Sequence, residues 1–245
     1  MKRLIGTACA VTATLSLYAA AAHASVVITG TRVVYPAQQS EVTVRLSNQA
    51  DHPALVEAWI DTGDTKSTPD NTNAPFLITP PLFRMESHKD QNLRIIYTQG
   101  TQPLPTDRES VFYLNVLEVP PKPTGAQTAG RNYLQFAMQS RLKLFYRPAG
   151  LPGDVMKAPD QLRFTAQGTT LDVRNPTPYY VTIGSVAFGT DGKPLEGVSG
   201  MVAPLGDLQL TLKGLKQAPS AGTAITYATI NDFGAVDTHK GVVAP

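Results

Sequence analysis

The residue types that usually carry chemistry are present but scattered. His52, His88 and His239 form no i, i+4 pair and no HExxH element. The one cysteine, Cys9, lies close to the amino terminus, which excludes a CxxC redox pair or a thiolate zinc site. No GxSxG elbow, GxxxxGK[ST] loop or GxGxxG fingerprint occurs. Asp61 and Asp64 fall together in what reads as a polar turn, a pattern that suits a solvated loop better than a calcium site. The expectation is therefore no catalytic residue, no metal, no cofactor and no small-molecule substrate. A secreted hydrolase with a dispersed triad stays open, because triad members need not be neighbours in sequence.

The chemistry with a visible pattern is that of an alternating strand. From Tyr133 to Tyr146 one face carries Leu134, Phe136, Met138, Ser140, Leu142, Leu144 and Tyr146, and the other carries Tyr133, Gln135, Ala137, Gln139, Arg141, Lys143 and Phe145. Such a strand would be about 45 Å long, beyond the usual three to ten residues. It is either a core strand of a sandwich or an exposed edge with bulky apolar side chains, which invites pairing with another chain. The preceding stretch from Pro120 to Gly130 is rich in Pro and Gly, so the start of the strand is expected to order on binding.

The elements that would position this strand are also β. Period-2 or short apolar runs recur at Glu41–Leu46, Leu55–Ile60, Leu93–Tyr97, Val111–Val119, Thr170–Val173, Tyr179–Phe188, Leu208–Leu212 and Ala224–Ile230. Turn residues separate them, as at Thr68-Pro69-Asp70-Asn71 and Asp191-Gly192-Lys193-Pro194. The pattern predicts β-sandwiches, and no segment has helical period. The run Arg147-Pro148-Ala149-Gly150-Leu151-Pro152-Gly153 ends the long strand and reads as a hinge between two domains, or as a loop within one large sandwich. The single Trp59, in an apolar strand, reads as core.

The chain has 245 residues, 16% of them charged, and a formal net charge of +2. That excludes a charge-driven disordered chain and a basic nucleic-acid binder. Met1-Lys2-Arg3, the apolar stretch Leu4–Ala22 and the small-x-small site Ala22-His23-Ala24 predict a secretory signal peptide over residues 1–24, against the alternative of a membrane anchor. Cleavage removes Cys9 and leaves an exported chain that relies on its core rather than on disulfides.

Several segments carry a resemblance. Leu104–Pro121, LPTDRESVFYLNVLEVPP, resembles the signature of the PapD-like periplasmic chaperones of the chaperone–usher pathway, and Gly30–Pro36, Arg141–Pro148, Asn175–Val181 and Ile230–Gly234 agree in order. The resemblance covers nearly the whole mature chain. It implies an all-β protein of two immunoglobulin-like β-sandwich domains in an L-shaped arrangement, an N-terminal domain over 25–147 and a C-terminal domain over 148–245. It implies a periplasmic chaperone that stabilises pilin subunits by lending them a strand, and that hands them to an outer-membrane usher. Leu134, Phe136 and Met138 match the family's donor positions. Arg32 and Lys143 match the basic pair that binds the subunit's terminal carboxylate. Glu109, Arg147 and Asp232 match an interdomain charge network. Read without the family, Arg32 and Lys143 are solvated strand residues, and the three charges are independent surface groups. The residues also leave open a secreted two-domain adhesin or structural subunit. The Lys122–Asn132 loop is longer than in the family's short-loop class, yet the disulfide of the long-loop class is absent. The short-loop class and a rod-like pilus are the expectation. Phe136 stands where a smaller aliphatic is common. Self-capping of the exposed strand by a second copy is a further expectation. Thr79-Pro80-Pro81 resembles a family turn in which a cis proline occurs.

Overall fold

The structure, a computed structural model, describes residues 25–100, 103–123, 132–189, 192–212 and 217–245. The expected signal peptide with Cys9, and most of the loop before the long strand, lie outside the described residues. Among the described residues there is no α-helix, only two single-turn 3₁₀ helices at Val155–Lys157 and Pro159–Gln161, and no helix long and apolar enough to cross a membrane.

Two sheets face each other in the first half of the chain. One has the order β1 (Val26–Ile28), β3 (Val42–Asn48), β7 (Asp90–Tyr97), β5 (Phe76–Thr79). The other has the order β2 (Arg32–Pro36), β9 (Met138–Arg147), β8 (Ser110–Val119), β4 (Ala54–Asp61), β6 (Leu82–Met85). Alternation in each strand sends Val44, Leu46, Leu93 and Ile95 from one sheet against Val56, Ile60, Leu114 and Leu144 from the other. Tyr35, Phe76, Tyr97, Phe112 and Tyr146 close one end of this core, with ring centroids 4.5–6.4 Å apart. The Thr79–Pro80 bond is cis.

The second half builds its own core. Its strands run in the order β13 (Gly200–Val202), β12 (Val181–Phe188), β15 (Ala224–Ile230), β16 (Val236–Ala244), β10 (Arg163–Gln167), β11 (Thr170–Arg174), β14 (Asp207–Thr211). β16 pairs antiparallel with β15 along most of its length, then parallel with β10 through Val243 and Ala244. It thereby passes from one face of the layer to the other, and Phe164, Leu171, Val186, Ile225 and Tyr227 meet between them. The chain is all-β, with one hydrophobic core on each side of the Arg147–Gly153 run, where Gly150 and Gly153 take positive φ.

Two expectations need correction. The long strand has ten residues, Met138–Arg147, not the fourteen of Tyr133–Tyr146. Residues 132–137 find no ladder partner, because β8 ends at Val119 and is followed by Pro120-Pro121, which have no N–H to give. Asp61 is not in a solvated turn. It ends β4 at 1% exposure, bound bidentately by Arg141 with Nη2–Oδ1 at 2.6 Å. No cluster of three potential metal-binding side chains occurs among the described residues. Trp59 is buried as expected and donates from Nε1 to Ser67 Oγ.

Candidate functional site

The site is built on β9, whose two halves differ. From Lys143 to Tyr146 the strand is interior, paired in parallel with β2 on one side and antiparallel with β8 on the other. From Met138 to Leu142 it pairs with β8 alone, so one row of its backbone groups is an open edge. Leu142 and Leu144 are buried in the core, but Met138 is 58% exposed. Just before it, Phe136 is 71% and Leu134 83% exposed. The three donor-position side chains thus form an apolar row continuous with the open edge. Gln135 Nε2, on the alternate side, donates to the Pro120 carbonyl at 2.7 Å and ties this segment back to the end of β8.

The cations stand where that open edge stops. Arg32 is the first residue of β2, and its ladder partner is Lys143. Paired residues share a face of a sheet, so the two side chains lie together. Both are half-buried between the domains. Arg32 Nη1 donates to the Ile230 carbonyl at 2.8 Å, and Lys143 Nζ lies 3.4 Å from Thr182 Oγ1, both acceptors belonging to the second core. Arg32 also lies over the Phe145 ring. Its Nε–H is buried without an acceptor among the described residues. Burial lowers the pKa of Arg32, with Asp232 opposing, and burial together with Arg32 holds the Lys143 ammonium below its usual 10.5. A cavity of about 30 Å³ lies beside Arg32, lined also by Phe145, Thr182 and the carboxylates Glu109, Asp232 and Asp237. It has room for about two water-sized groups.

Neighbouring cations are already neutralised. Arg141, two residues along the same face of β9, is held by Asp61 and lies 3.6 Å over the Tyr113 ring; Asn115 Nδ2 donates to the same carboxylate at 2.6 Å. Arg147 joins Glu109 and Asp232. Its Nε donates to Glu109 Oε1 at 2.6 Å, while Nη1 and Nη2 bind Asp232 Oδ2 and Oδ1 at 2.7 and 3.0 Å. Glu109 Oε2 accepts from the Tyr180 N–H at 2.7 Å, and the Glu109 N–H donates to the Pro178 carbonyl. The buried Asn175 shapes the turn that presents these groups, bonding Tyr179 O, Ala203 O and the Thr177 N–H and hydroxyl. Glu109, Arg147 and Asp232, far apart in sequence, therefore meet across the two domains. Arg32 and Lys143 make no ion pair among the described residues; Asp232 attracts Arg32 without bonding it, so both cations stay open to an anion.

Reading from sequence missed two things here and reached a third only through the family resemblance. Asp61 and Arg141 form a second buried ion pair; Asp61 was noticed only for its neighbour Asp64. Ile230 and Thr182 hold the two cations, through a backbone carbonyl and an ordinary hydroxyl that leave no mark in a sequence. The pairing of Arg32 with Lys143 depends on a parallel register between strands more than a hundred residues apart, which periodicity does not reveal.

Residues 25–152 match the family described as "Pili and flagellar-assembly chaperone, PapD N-terminal domain". Residues 157–241 match "Pili assembly chaperone PapD, C-terminal domain". The chain is 44% identical to the chaperone protein FimB/FhaD of Bordetella pertussis over 99% of this chain and 98% of that protein. It is 42% identical to the probable fimbrial chaperone YadV of Escherichia coli K12, over 90% and 91% respectively. The solved YadV chaperone superposes with a TM-score of 0.75 at 38% identity, covering 90% of this chain and all of that one. The Salmonella enterica SafB chaperone, in complex with the SafA pilin, gives a TM-score of 0.76 at 32% identity over 91% of this chain and 99% of the matched chain. Two sandwich-like cores, an open-edged β9 and these matches across the whole described chain agree on one conclusion: the chain belongs to the PapD-like pilus assembly chaperones of the chaperone–usher pathway.

Proposed function

We propose that this periplasmic chaperone, which is not an enzyme, holds a pilin subunit by completing the subunit's sandwich with the Leu134–Leu142 segment. The carrying observation is the geometry of β9: an open backbone edge, flanked by exposed Leu134, Phe136 and Met138, that ends at two cations without an ion-pair partner among the described residues. A sandwich lacking a strand exposes core and an unpaired edge, both aggregation hazards. The β9 edge supplies ladder hydrogen bonds, and each donor side chain buried in the subunit's groove adds about 1.5–3 kcal/mol, offset in part by ordering. Arg32 and Lys143 receive the subunit's terminal carboxylate through charge-assisted hydrogen bonds and so fix the register of the added strand. Glu109, Arg147 and Asp232 hold the second domain where its Ile230 carbonyl and Thr182 meet those cations. An outer-membrane usher takes the subunit onward, and in its absence a second copy of the chaperone caps the exposed row.

The test is a pull-down of tagged chaperone from the periplasm of pilus-producing cells, compared with an Arg32→Ala, Lys143→Ala double variant. The expected result is a small β-rich subunit held one-to-one by the wild type and lost from the variant. Equal retention by both removes the anchor from the reading. Recovery of no subunit overturns the reading of the strand itself.

A further inference from the structure

We infer that the loop joining β15 to β16, residues 231–235, is the positioning element of the carboxylate anchor, and that the contact of Gly234 with Thr31 sets the anchor's geometry. This rests on the reading of Arg32 and Lys143 given above and extends it to Gly234 and Thr31, which carry no charge.

The loop is internally braced. Asn231 Oδ1 accepts from the N–H groups of Phe233 and Ala235, and Asn231 Nδ2 donates to Asp237 Oδ2 at 2.9 Å. Two backbone bonds close the turn, Gly234 N–H to Asn231 O and Asn231 N–H to Ala235 O, each 2.9 Å. So stiffened, the loop meets the first domain at three points. Ile230, just before it, gives its carbonyl to Arg32 Nη1. Asp232 takes both outer nitrogens of Arg147. Gly234 packs on Thr31, the residue before Arg32. A Cβ built on Gly234 would lie 2.3 Å from Thr31 Oγ1, and the φ of +83° disfavours any side chain there.

The Ile230 contact selects how Arg32 presents itself. It occupies Nη1 and leaves the edge formed by Nε and Nη2, the side that receives a carboxylate bidentately. The buried Nε–H without an acceptor belongs to that edge. Glycine at 234 is what lets the loop come close enough for the Ile230 carbonyl to do this, while Asp232 fixes the loop's other side.

The experiment uses full mature chaperone and acetate as the minimal carboxylate, at low ionic strength. Lysines are ¹³C-methylated, and the Lys143 signal is assigned with Lys143→Arg. Acetate is expected to shift that signal in the wild type. Gly234→Ala is expected to weaken acetate binding about tenfold, one charge-assisted hydrogen bond, and to raise the Lys143 titration toward its ordinary value as Arg32 moves off. Glu109, Asp232 and Asp237, the carboxylates lining this cleft, are all retained in the variant's sequence. Thr31→Ala combined with Gly234→Ala should recover part of the affinity. Phe233→Ala, an exposed side chain in the same loop, should change nothing. If Gly234→Ala does not fold, Thr31→Leu applies the same push from the first domain. Wild-type affinity in Gly234→Ala or Thr31→Leu, with an unmoved Lys143 titration, overturns the positioning role. Failure of the wild type itself to bind acetate overturns the anchor beneath it, so the two failures are separable.

Discussion

Removing Arg147 tests whether the domains are held by charge. The Glu109 side chain is 1% exposed, and its carboxylate has two partners, the Arg147 guanidinium and the Tyr180 N–H. Arg147→Ala deletes the only cation of the set and leaves a buried carboxylate satisfied by one amide. Breaking a buried pair in this way costs about 3–5 kcal/mol. Asp232, 22% exposed as a side chain, loses its bidentate partner too, but solvent replaces much of that interaction. Most of the loss therefore traces to Glu109, and Arg147→Ala, Glu109→Gln should recover much of it, since a neutral amide oxygen still accepts from Tyr180.

The pH dependence follows from the same carboxyl. Burial raises the Glu109 pKa above its usual 4.5 even with Arg147 beside it. A folded-state pKa above the unfolded one favours the protonated form in the fold. That contribution is whole below about pH 4.5 and is lost as pH rises through the folded value. Without Arg147 the folded value rises further, so the variant's deficit should be large at pH 7 and shrink toward pH 4.5. The assay is urea unfolding of wild type, Arg147→Ala and the double variant at both pH values, with the slope checked for constancy. A deficit under about 1 kcal/mol at pH 7, or one that grows in acid, would refute the reasoning.

Two further outcomes are expected. Leu134→Ser and Phe136→Ser should leave unfolding within about 0.5 kcal/mol of wild type, since both side chains are exposed, yet lower subunit recovery in the pull-down. Asp61→Asn should remove an acid-sensitive part of stability. Burial would raise the Asp61 pKa, but Arg141, Asn115 and the Gly63 N–H overcome it and hold the carboxyl below 3.8. That contribution is present above the unfolded value and lost as pH falls through the lower folded one, so urea midpoints of variant and wild type should converge in acid.

Much of the fold was legible because a half-buried antiparallel strand alternates. Val111–Val119 and Ala224–Ile230 were read within one residue of their observed ends. The strands that escaped, such as β6 (Leu82–Met85) and β16 (Val236–Ala244), are short edges or carry exposed apolar residues, as with Leu82, Val236 and Val242, so their faces do not sort by polarity. The Tyr133–Tyr146 run misled in the opposite direction. Its alternation is real along its whole length, but alternation reports what a segment suits, and five of its residues, 133–137, have no ladder partner among the described residues. A strand pattern without a partner strand is what a donated segment should look like. The charge network was legible only through family resemblance, because electrostatic partners carry no periodicity.

The register of β2 also constrains the direction of an added strand. β2 occupies one side of β9 from Lys143 onward and leaves Met138–Leu142 open on that side. A visiting strand can fill that edge only until it meets Arg32. If the anion bound by Arg32 and Lys143 is the visitor's terminal carboxylate, the visitor's C-terminal end lies there and its upstream residues lie toward Met138. It therefore runs parallel to β9, as β2 does. The chain's one cysteine is Cys9, within the expected leader, so the mature protein provides a clean background for cross-linking. Met138→Cys and Ser140→Cys, which share a face, should form disulfides with cysteines placed in the subunit's last strand, and Ser140→Cys should select the position nearer the subunit's C-terminus. The reverse order would mean an antiparallel visitor, whose terminal carboxylate would lie toward Met138, away from the two cations.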